Sequence, residues 1–204
     1  MVITISRQFG SRGRDIGFSL AESLGISFYD KELISLAAKE SGMNEDFFEK
    51  FDERASNSLL YSLSLGAAAT IASEYGTTPE TTVNDKLYLL QYNIIKKISE
   101  EACVIVGRCA DHVLADRKDC VKVFVYCDLD KRVEHITQKY KLTPDKARAL
   151  IKKNDRARAN YYNHYASGKW GEPENYDLCI NSARLGVQGA CDLISEYLRL
   201  TGIY

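Results

Sequence analysis

The chain has 204 residues, enough to bury a substantial core, and a single domain is the natural expectation. It is 45% hydrophobic and 27% charged, which excludes a disordered or fibrous protein. A net charge of −1 gives no general basic field and argues against nucleic acid as a partner. The chain begins without the pattern of a signal peptide, and its longest weakly polar stretch, 59–72, is too short to span a bilayer. We therefore expect a cytoplasmic protein with no membrane partner.

Short apolar runs predict strands at 2–5, 103–106, 121–126 and 177–181, with a further short strand ending near Tyr29. Helical spacing predicts helices near 16–24, 31–42, 44–54, 58–75, 84–100, 129–138, 144–165 and 185–200. Strands that alternate with helices indicate a parallel sheet with helices on both faces. The fold class predicted from this order is α/β, in one domain.

The segment 6–16 reads Ser-Arg-Gln-Phe-Gly-Ser-Arg-Gly-Arg-Asp-Ile and connects the first strand to the first helix. A turn here presents backbone N–H groups and the positive end of the helix to the space where anions bind. Arginine can also form paired hydrogen bonds to phosphate. The predicted phosphate-binding residues are Arg7, Gly10, Ser11, Arg12, Gly13, Arg14 and Asp15. A tight surface turn with solvated arginines is the alternative.

A second arginine position follows the apolar strand 103–106, which ends in Gly107-Arg108. Gly107 permits close backbone approach, and Arg108 leaves the strand at the edge where the first loop lies. Asp111 follows three residues later, and Asp30 stands where the second strand passes into a helix. The alternatives are a surface salt bridge for Arg108 and a capping role alone for Asp30.

The segment 144–170 is basic and contains several aromatic residues. Arg148, Lys152 and Arg156 share one face of the predicted helix, and Asp155-Arg156-Ala157-Arg158 lies in its middle. Tyr161, Tyr162, Tyr165 and Trp170 follow. Such a stripe can also bind RNA, or it can be a solvated face.

Together these segments resemble the cytidylate kinase-like family of P-loop nucleoside-monophosphate kinases, over nearly the whole chain. The resemblance implies a three-layer P-loop fold with a parallel sheet of about five strands. It also implies an acceptor-side helical region at 30–100 and a mobile helical lid at 142–170. The implied reaction is transfer of the ATP γ-phosphoryl group, with Mg²⁺, to a small acceptor, a pyrimidine nucleoside monophosphate.

The same resemblance assigns roles to single residues. Arg108 would bind the acceptor phosphate, with Asp30 and Asp111 beside it; Cys109 replaces the aspartate that directly follows this arginine in the family. Arg156 and Arg158 would close over the transferring phosphoryl group and act in catalysis, and we expect each to matter to turnover.

The phosphate loop departs from the usual G-x-x-G-x-G-K-[GS]-T pattern. Matching on Gly10 places Arg7 at the first glycine, Arg12 at the last glycine and Gly13 at the lysine. The lysine that reaches the β- and γ-phosphates is therefore missing, as is the hydroxyl that usually holds Mg²⁺. Arg14 or Arg12 can supply the charge, Arg14 being our choice for a catalytic role. Asp15, Ser11 or Ser6 can meet the metal, and we assign Mg²⁺ to Asp15.

Two other functions stay open. The missing lysine favours a non-catalytic nucleotide-binding or regulatory protein, and the basic 146–170 segment allows an RNA- or protein-binding module. The apolar segment 55–80 has no matching kinase motif. It either covers the acceptor pocket or forms the face of a homo-oligomer.

Six cysteines include no CxxC pair, and most lie in apolar runs, which predicts reduced thiols rather than disulfides or a metal site. Cys109 beside Arg108 is the alternative position for a reactive thiol.

Overall fold

A computed structural model describes residues 1–30 and 83–203 of the chain. The chain divides into two compact units, one formed by Met1–Asp30 with Ile98–Tyr204 and the other by Lys31–Lys97. The described residues of the second unit belong to one helix, α2 (Val83–Ile98), whose last residue is assigned to the first unit; its bounds are close to the predicted 84–100. The helices predicted at 31–42, 44–54 and 58–75, and the segment 55–80, lie outside the described residues. The prediction of one domain with an acceptor-side region at 30–100 stays a prediction.

The first unit contains a five-stranded sheet in the order β2-β3-β1-β4-β5. Its strands are β1 (Val2–Arg7), β2 (Ser27–Tyr29), β3 (Cys103–Val106), β4 (Cys120–Tyr126) and β5 (Leu178–Asn181). Every pairing is parallel, with Val2 of the central strand opposite Cys103 on one side and Cys120 on the other. The α/β fold with a parallel sheet of about five strands flanked by helices is confirmed.

The helices of this unit start and stop at the signals present in the sequence. They are α1 (Gly13–Leu24), α3 (Ala110–Val113), α4 (Leu129–Tyr140), α5 (Pro144–Tyr165) and α6 (Ser182–Thr201). The Thr143 hydroxyl accepts a hydrogen bond from the Lys146 N–H, and Pro144 occupies the first turn, so α5 begins as predicted. Helix α1 ends at Gly25, which adopts the left-handed conformation.

The strands are apolar on both faces because helices cover both. Side chains on one face, Ile3 and Ile5 among them, pack in a single cluster with Leu20 of α1 and Ile194 of α6. A Cβ atom at Gly17 would lie 2.9 Å from Val106 Cγ2, so the close approach of α1 to the sheet requires glycine.

This packing leaves the loops after β1, β3 and β4 side by side at the carboxyl edge of the sheet. Arg7, the last residue of β1, pairs with Val125 of β4, and the Gly107 N–H after β3 donates to the Ile5 carbonyl at 3.0 Å. Anion and ligand sites of open parallel sheets lie at this edge. No helix among the described residues is long and apolar enough to cross a membrane.

All six cysteines are free, as predicted. Burial raises the pKa of Cys103 and of Cys120 to about 11. The pKa of Cys109 is also raised, first by burial and then by Asp111. Because the thiolate is the reactive form, the position of Cys109 argues against the alternative of a reactive thiol there.

Candidate phosphate-binding site

The loop Gln8–Arg12 connects the central strand to α1, and two of its residues are left-handed. Gly10 has a φ of 83°, and a Cβ atom there would lie 3.0 Å from Ile136 Cγ1, so the loop packs tightly on α4. Arg12 has a φ of 61° at the position that matches the last glycine of the usual loop. This conformation costs a non-glycine residue about 1–2 kcal/mol, so the surrounding structure must hold it.

Several loop N–H groups are available to a ligand. Within 1–30 and 83–203, the N–H groups of Gly10, Arg12 and Gly13 have no hydrogen-bond acceptor. The carbonyl of Ser11 is fixed by the Ser182 hydroxyl at 2.7 Å, and the Ser11 hydroxyl donates to the Gln8 carbonyl at 2.9 Å. The loop is therefore anchored through its carbonyls, and its donors, with the positive end of α1, can bind an anion.

Two arginines of the loop lie at the surface, each beside a carboxylate. Arg12 Nε is 3.3 Å from Asp15 Oδ2, and Arg14 Nε is 2.7 Å from Asp30 Oδ2. The guanidinium of Arg14 also lies 5.6 Å from the centre of the Phe28 ring. Their side chains are 50% and 51% exposed, so neither residue buries its charge beside the loop.

Arg7 differs from both because its side chain is only 18% exposed. Its Nη2 atom lies 3.5 Å from Asp30 Oδ1, a long contact, and its Nη1 atom lies over the Cα atom of Gly107. Burial lowers the pKa of Arg7, an effect that Asp30 opposes and Arg14 reinforces.

The turn after β3 is strained. Gly107, Arg108 and Cys109 have φ values of 85°, 62° and 54°, which places two non-glycine residues in the left-handed region. Such conformations cost about 1–3 kcal/mol each and concentrate at functional sites. Burial lowers the pKa of Arg108; Tyr161 opposes the shift and Arg7 reinforces it.

Helix α5 is joined to the phosphate loop around Phe9. The Phe9 N–H donates to Asp155 Oδ1 at 2.7 Å, and Arg158 donates to the Arg7 carbonyl at 2.8 Å. The Arg158 guanidinium also lies 5.6 Å from the centre of the Phe9 ring. Arg132 of α4 donates to Asp155 Oδ2 at 2.5 Å and to the Phe9 carbonyl at 3.3 Å. Asp155 and Arg158 therefore contact the loop directly.

The guanidinium groups of Arg7, Arg108 and Arg158 lie close enough to influence one another's charge. Burial lowers the pKa of Arg158, Arg7 reinforces the shift, and Asp155 and Asp30 oppose it. Asp30 opposes the shifts of Arg7 and Arg108 as well, and Asp155 is already paired with Arg132. A guanidinium stays protonated in proteins and can form paired hydrogen bonds to an anion such as phosphate.

The structure separates the remaining predicted residues. Arg156 is exposed on the opposite side of α5 from Arg158. Asp111 is 3% exposed and accepts hydrogen bonds from the Ser6 hydroxyl at 3.4 Å and the Tyr162 hydroxyl at 2.7 Å. Both its oxygens are therefore engaged inside the protein. The roles of all these residues toward ligands stay predictions.

Arg132 was missed by the sequence reasoning. The charged residues of α4 are otherwise on its solvent side, whereas Arg132 lies one turn before Ile136, a core residue, and is itself 8% exposed. The sequence did contain a signal for this residue, because Arg132 falls in the same helical register as the apolar face of α4. Its Nε atom is buried, and among the described residues it has no hydrogen-bond partner.

Magnesium fits one position on the loop. Among the described residues no group of three or more His, Cys, Asp or Glu side chains forms a metal site. Mg²⁺ in nucleotide sites usually needs only one or two carboxylates besides phosphate oxygens and water. Asp15, on the first turn of α1 and 33% exposed, can supply one.

A parallel sheet with a glycine-containing loop between its central strand and the next helix, and a further helix packed against that loop, is typical of the P-loop kinase fold. The chain belongs to the cytidylate kinase-like family, whose model matches residues 2–184. No curated protein sequence matches the chain significantly.

Solved structures agree on the fold. An uncharacterized protein from Eubacterium ventriosum ATCC 27560 is 27% identical, with a TM-score of 0.73 and coverage of 98% of both chains. Shikimate kinase from Bacteroides thetaiotaomicron is 15% identical, with a TM-score of 0.54 and 98% of both chains covered. A gluconokinase from Sinorhizobium meliloti 1021 is 12% identical, with a TM-score of 0.50 and coverage of 98% of this chain and 96% of that one.

Proposed function

We propose that the protein is a phosphotransferase that moves the γ-phosphoryl group of ATP to a small acceptor, a pyrimidine nucleoside monophosphate. The observation that carries the proposal is the convergence of Arg7, Arg108 and Arg158 at the carboxyl edge of the sheet, with Asp30 as their shared carboxylate. Substrates with several phosphate charges match this group of neighbouring arginines. Membership of the cytidylate kinase-like family supports the pyrimidine acceptor.

On the donor side, the loop N–H groups and the positive end of α1 bind the phosphates of ATP. The residues of this subsite are Arg7, Gly10, Ser11, Arg12, Gly13, Arg14 and Asp15. Asp15 would hold Mg²⁺, which supplies neutralisation of charge on the phosphate oxygens. Exposed Arg12 and Arg14 can turn from their carboxylates to the nucleotide because surface ion pairs are weak, about 0–1 kcal/mol.

On the acceptor side, Arg108 binds the phosphate of the nucleoside monophosphate. The strained turn after β3 fixes this side chain beside Arg7. Asp30 orients Arg7 and Arg14 and completes the acceptor subsite. Asp111, held by Ser6 and Tyr162, contributes to this subsite by fixing α3, which directly follows the turn.

Transfer itself needs positioning and positive charge more than covalent chemistry. Arg158 lies against the loop, where charge develops on the equatorial oxygens of the moving group. Arg14 and Arg156 supply further charge when the lid closes. We place this reaction in the cytoplasm, in agreement with the sequence prediction.

The test is a coupled assay of ADP formation with Mg²⁺, ATP and a panel of CMP, UMP, dCMP, AMP and GMP, with chromatography of the products. We expect ADP formation to depend on a pyrimidine monophosphate and to exceed hydrolysis without acceptor. Arg108→Met should raise the KM for the acceptor by about tenfold, the scale of one hydrogen bond to a charged group. Arg199→Met, at an exposed position of α6 beside Glu196, is the control for loss of one positive charge.

Two outcomes would contradict the proposal. Binding of ATP by calorimetry without transfer to any acceptor would identify the non-catalytic nucleotide-binding protein that Gly13 favours. Binding of a short RNA without binding of any nucleotide would assign the basic 146–170 segment to nucleic acid.

A further inference from the structure

Gly13 stands where the usual loop has its lysine, and the structure gives a steric reason for the glycine. An ideal Cβ atom on Gly13 would lie 2.6 Å from Arg7 Cβ, 3.1 Å from Arg7 Cγ and 3.2 Å from Val125 Cβ. A separation of 2.6 Å between two carbon atoms is far inside van der Waals contact. While Arg7 keeps this position, residue 13 can carry no side chain.

Arg7 in turn occupies the position of the first glycine in the usual loop. Its guanidinium lies over Gly107, where a Cβ atom would overlap Nη1. Its hydrogen bonding within the described part of the chain is limited to the 3.5 Å contact with Asp30. A largely buried guanidinium has five N–H donors, and with one long bond it keeps donors for an anion.

Arg12 and Arg14, the other two arginines of the segment 6–16, are less buried than Arg7. Arg12 and Arg14 are about half exposed, and each makes its closest ion pair with a carboxylate, Asp15 or Asp30. Burial lowers the pKa of Arg7, whose charge lies in a poorly solvated position. A poorly solvated cation attracts an anion more strongly than an exposed one does.

We propose that positions 7 and 13 have exchanged roles: Arg7 supplies, from the end of β1, the phosphate-binding charge that a lysine at position 13 supplies in the usual loop. Gly13 is the space that the Arg7 side chain requires, and Gly107 provides room for its guanidinium. The inference rests on the proposed function in that the anion is a phosphate group of the nucleotide. It moves the replacement for the lysine from Arg12 or Arg14, which the sequence suggested, to Arg7.

The first experiment tests steric exclusion without any ligand, through melting temperatures of Gly13→Ala, Arg7→Gly and the double variant. Gly13 has a negative φ within a helix, where alanine is intrinsically the better residue, so propensity alone would raise Tm. We expect Gly13→Ala to lower Tm by about 4 °C or more, and to lower it far less in the Arg7→Gly background. Equal shifts in the two backgrounds would overturn the inference.

The second experiment measures binding of ATP and of inorganic pyrophosphate by calorimetry. Arg7→Met keeps the bulk of the side chain and should weaken both ligands by about tenfold or more. Arg199→Met should bind as the parent does. The double variant Arg7→Gly/Gly13→Lys should bind ATP at least about tenfold more tightly than Arg7→Gly alone, because the clash with Arg7 is removed and the lysine restores the charge.

The outcomes separate this inference from the proposed function. Tight binding of ATP by the parent and equally tight binding by Arg7→Met would overturn the inference and leave the proposed function standing. Failure of the parent to bind ATP or pyrophosphate would overturn both, whatever the melting temperatures. Loss of binding in Arg7→Met with recovery in the double variant would establish the exchange.

Discussion

The two faces of α5 both carry basic side chains, yet they contact different surroundings. The face directed toward the rest of the first unit consists of Ala147, Ile151, Asp155, Arg158 and Tyr162. Ala147, Ile151 and Tyr162 are buried, and the two charged residues bond to the phosphate loop. The other face carries Arg148, Lys152 and Arg156, all exposed.

The regular basic spacing at 148, 152 and 156 is the stronger pattern in the sequence, and it belongs to the solvent face. Arg148 forms an ion pair with Asp130, but the side chains are 48% and 86% exposed, so the pair is worth little. Arg158 instead shares the register of buried residues. In this helix, the arginine that lies in the apolar register contacts the phosphate loop, and the arginines of the basic stripe are exposed.

The largest effect on stability is expected from a substitution in the inward face of α5, the face directed toward the rest of the first unit. Ile151 is 2% exposed and packs with Val133, Ile136 and Ala147. Ile151→Ala should reduce the free energy of unfolding by about 2–5 kcal/mol, because it leaves a cavity between α4 and α5. Lys152→Ala, one residue along, should stay within about 0.5 kcal/mol of the parent. Urea denaturation measures both, and equal costs would contradict the distinction between the faces.

The positions of the strands along the chain followed from the sequence because parallel strands covered on both faces form short apolar runs. The four runs at 2–5, 103–106, 121–126 and 177–181 all became parallel strands of one sheet. The phosphate loop and Arg108 could be placed at one edge of the sheet for a related reason, since the carboxyl ends of parallel strands share one edge.

Contacts between residues distant in sequence could not be predicted in this way. Asp155 and the Phe9 N–H are separated by 146 positions, and no local pattern relates them. The clash between Arg7 and any side chain at position 13 likewise depends on how closely the folded chain brings the two positions together. Comparison with the usual loop detected the lost lysine, but the steric relation between positions 7 and 13 required coordinates to find.

The second prediction concerns the far end of the inward face, where the Tyr162 hydroxyl donates to Asp111 at 2.7 Å. Burial raises the pKa of Asp111, so its contribution to stability is greatest below the ordinary value and is lost as pH rises through the raised pKa. Tyr162→Phe removes a donor to the carboxylate and should enlarge that loss. We expect a cost of about 1–3 kcal/mol at pH 7 and a smaller cost near pH 4.

Urea unfolding of the parent and Tyr162→Phe at the two pH values measures this difference. Asp111→Asn is the matched control, because an amide does not titrate and the pH dependence of the Tyr162→Phe cost should disappear in that background. A cost that is the same at both pH values in the parent background would show that Tyr162 acts through packing alone.

The smallest expected effect concerns the two arginines of the Asp155–Arg158 segment, which the sequence treated as equals. Arg158 lies against the loop, whereas Arg156 is exposed. With the acceptor that supports turnover, Arg158→Ala should reduce kcat by at least tenfold, about 1.4 kcal/mol of barrier, with ATP affinity little changed. Arg156→Ala should reduce kcat less than Arg158→Ala, because its charge reaches the phosphates only if the lid moves further. Steady-state kinetics and calorimetry on both variants decide the matter. Equal losses in kcat would mean that α5 rotates or closes during turnover and that the outward face also enters the site.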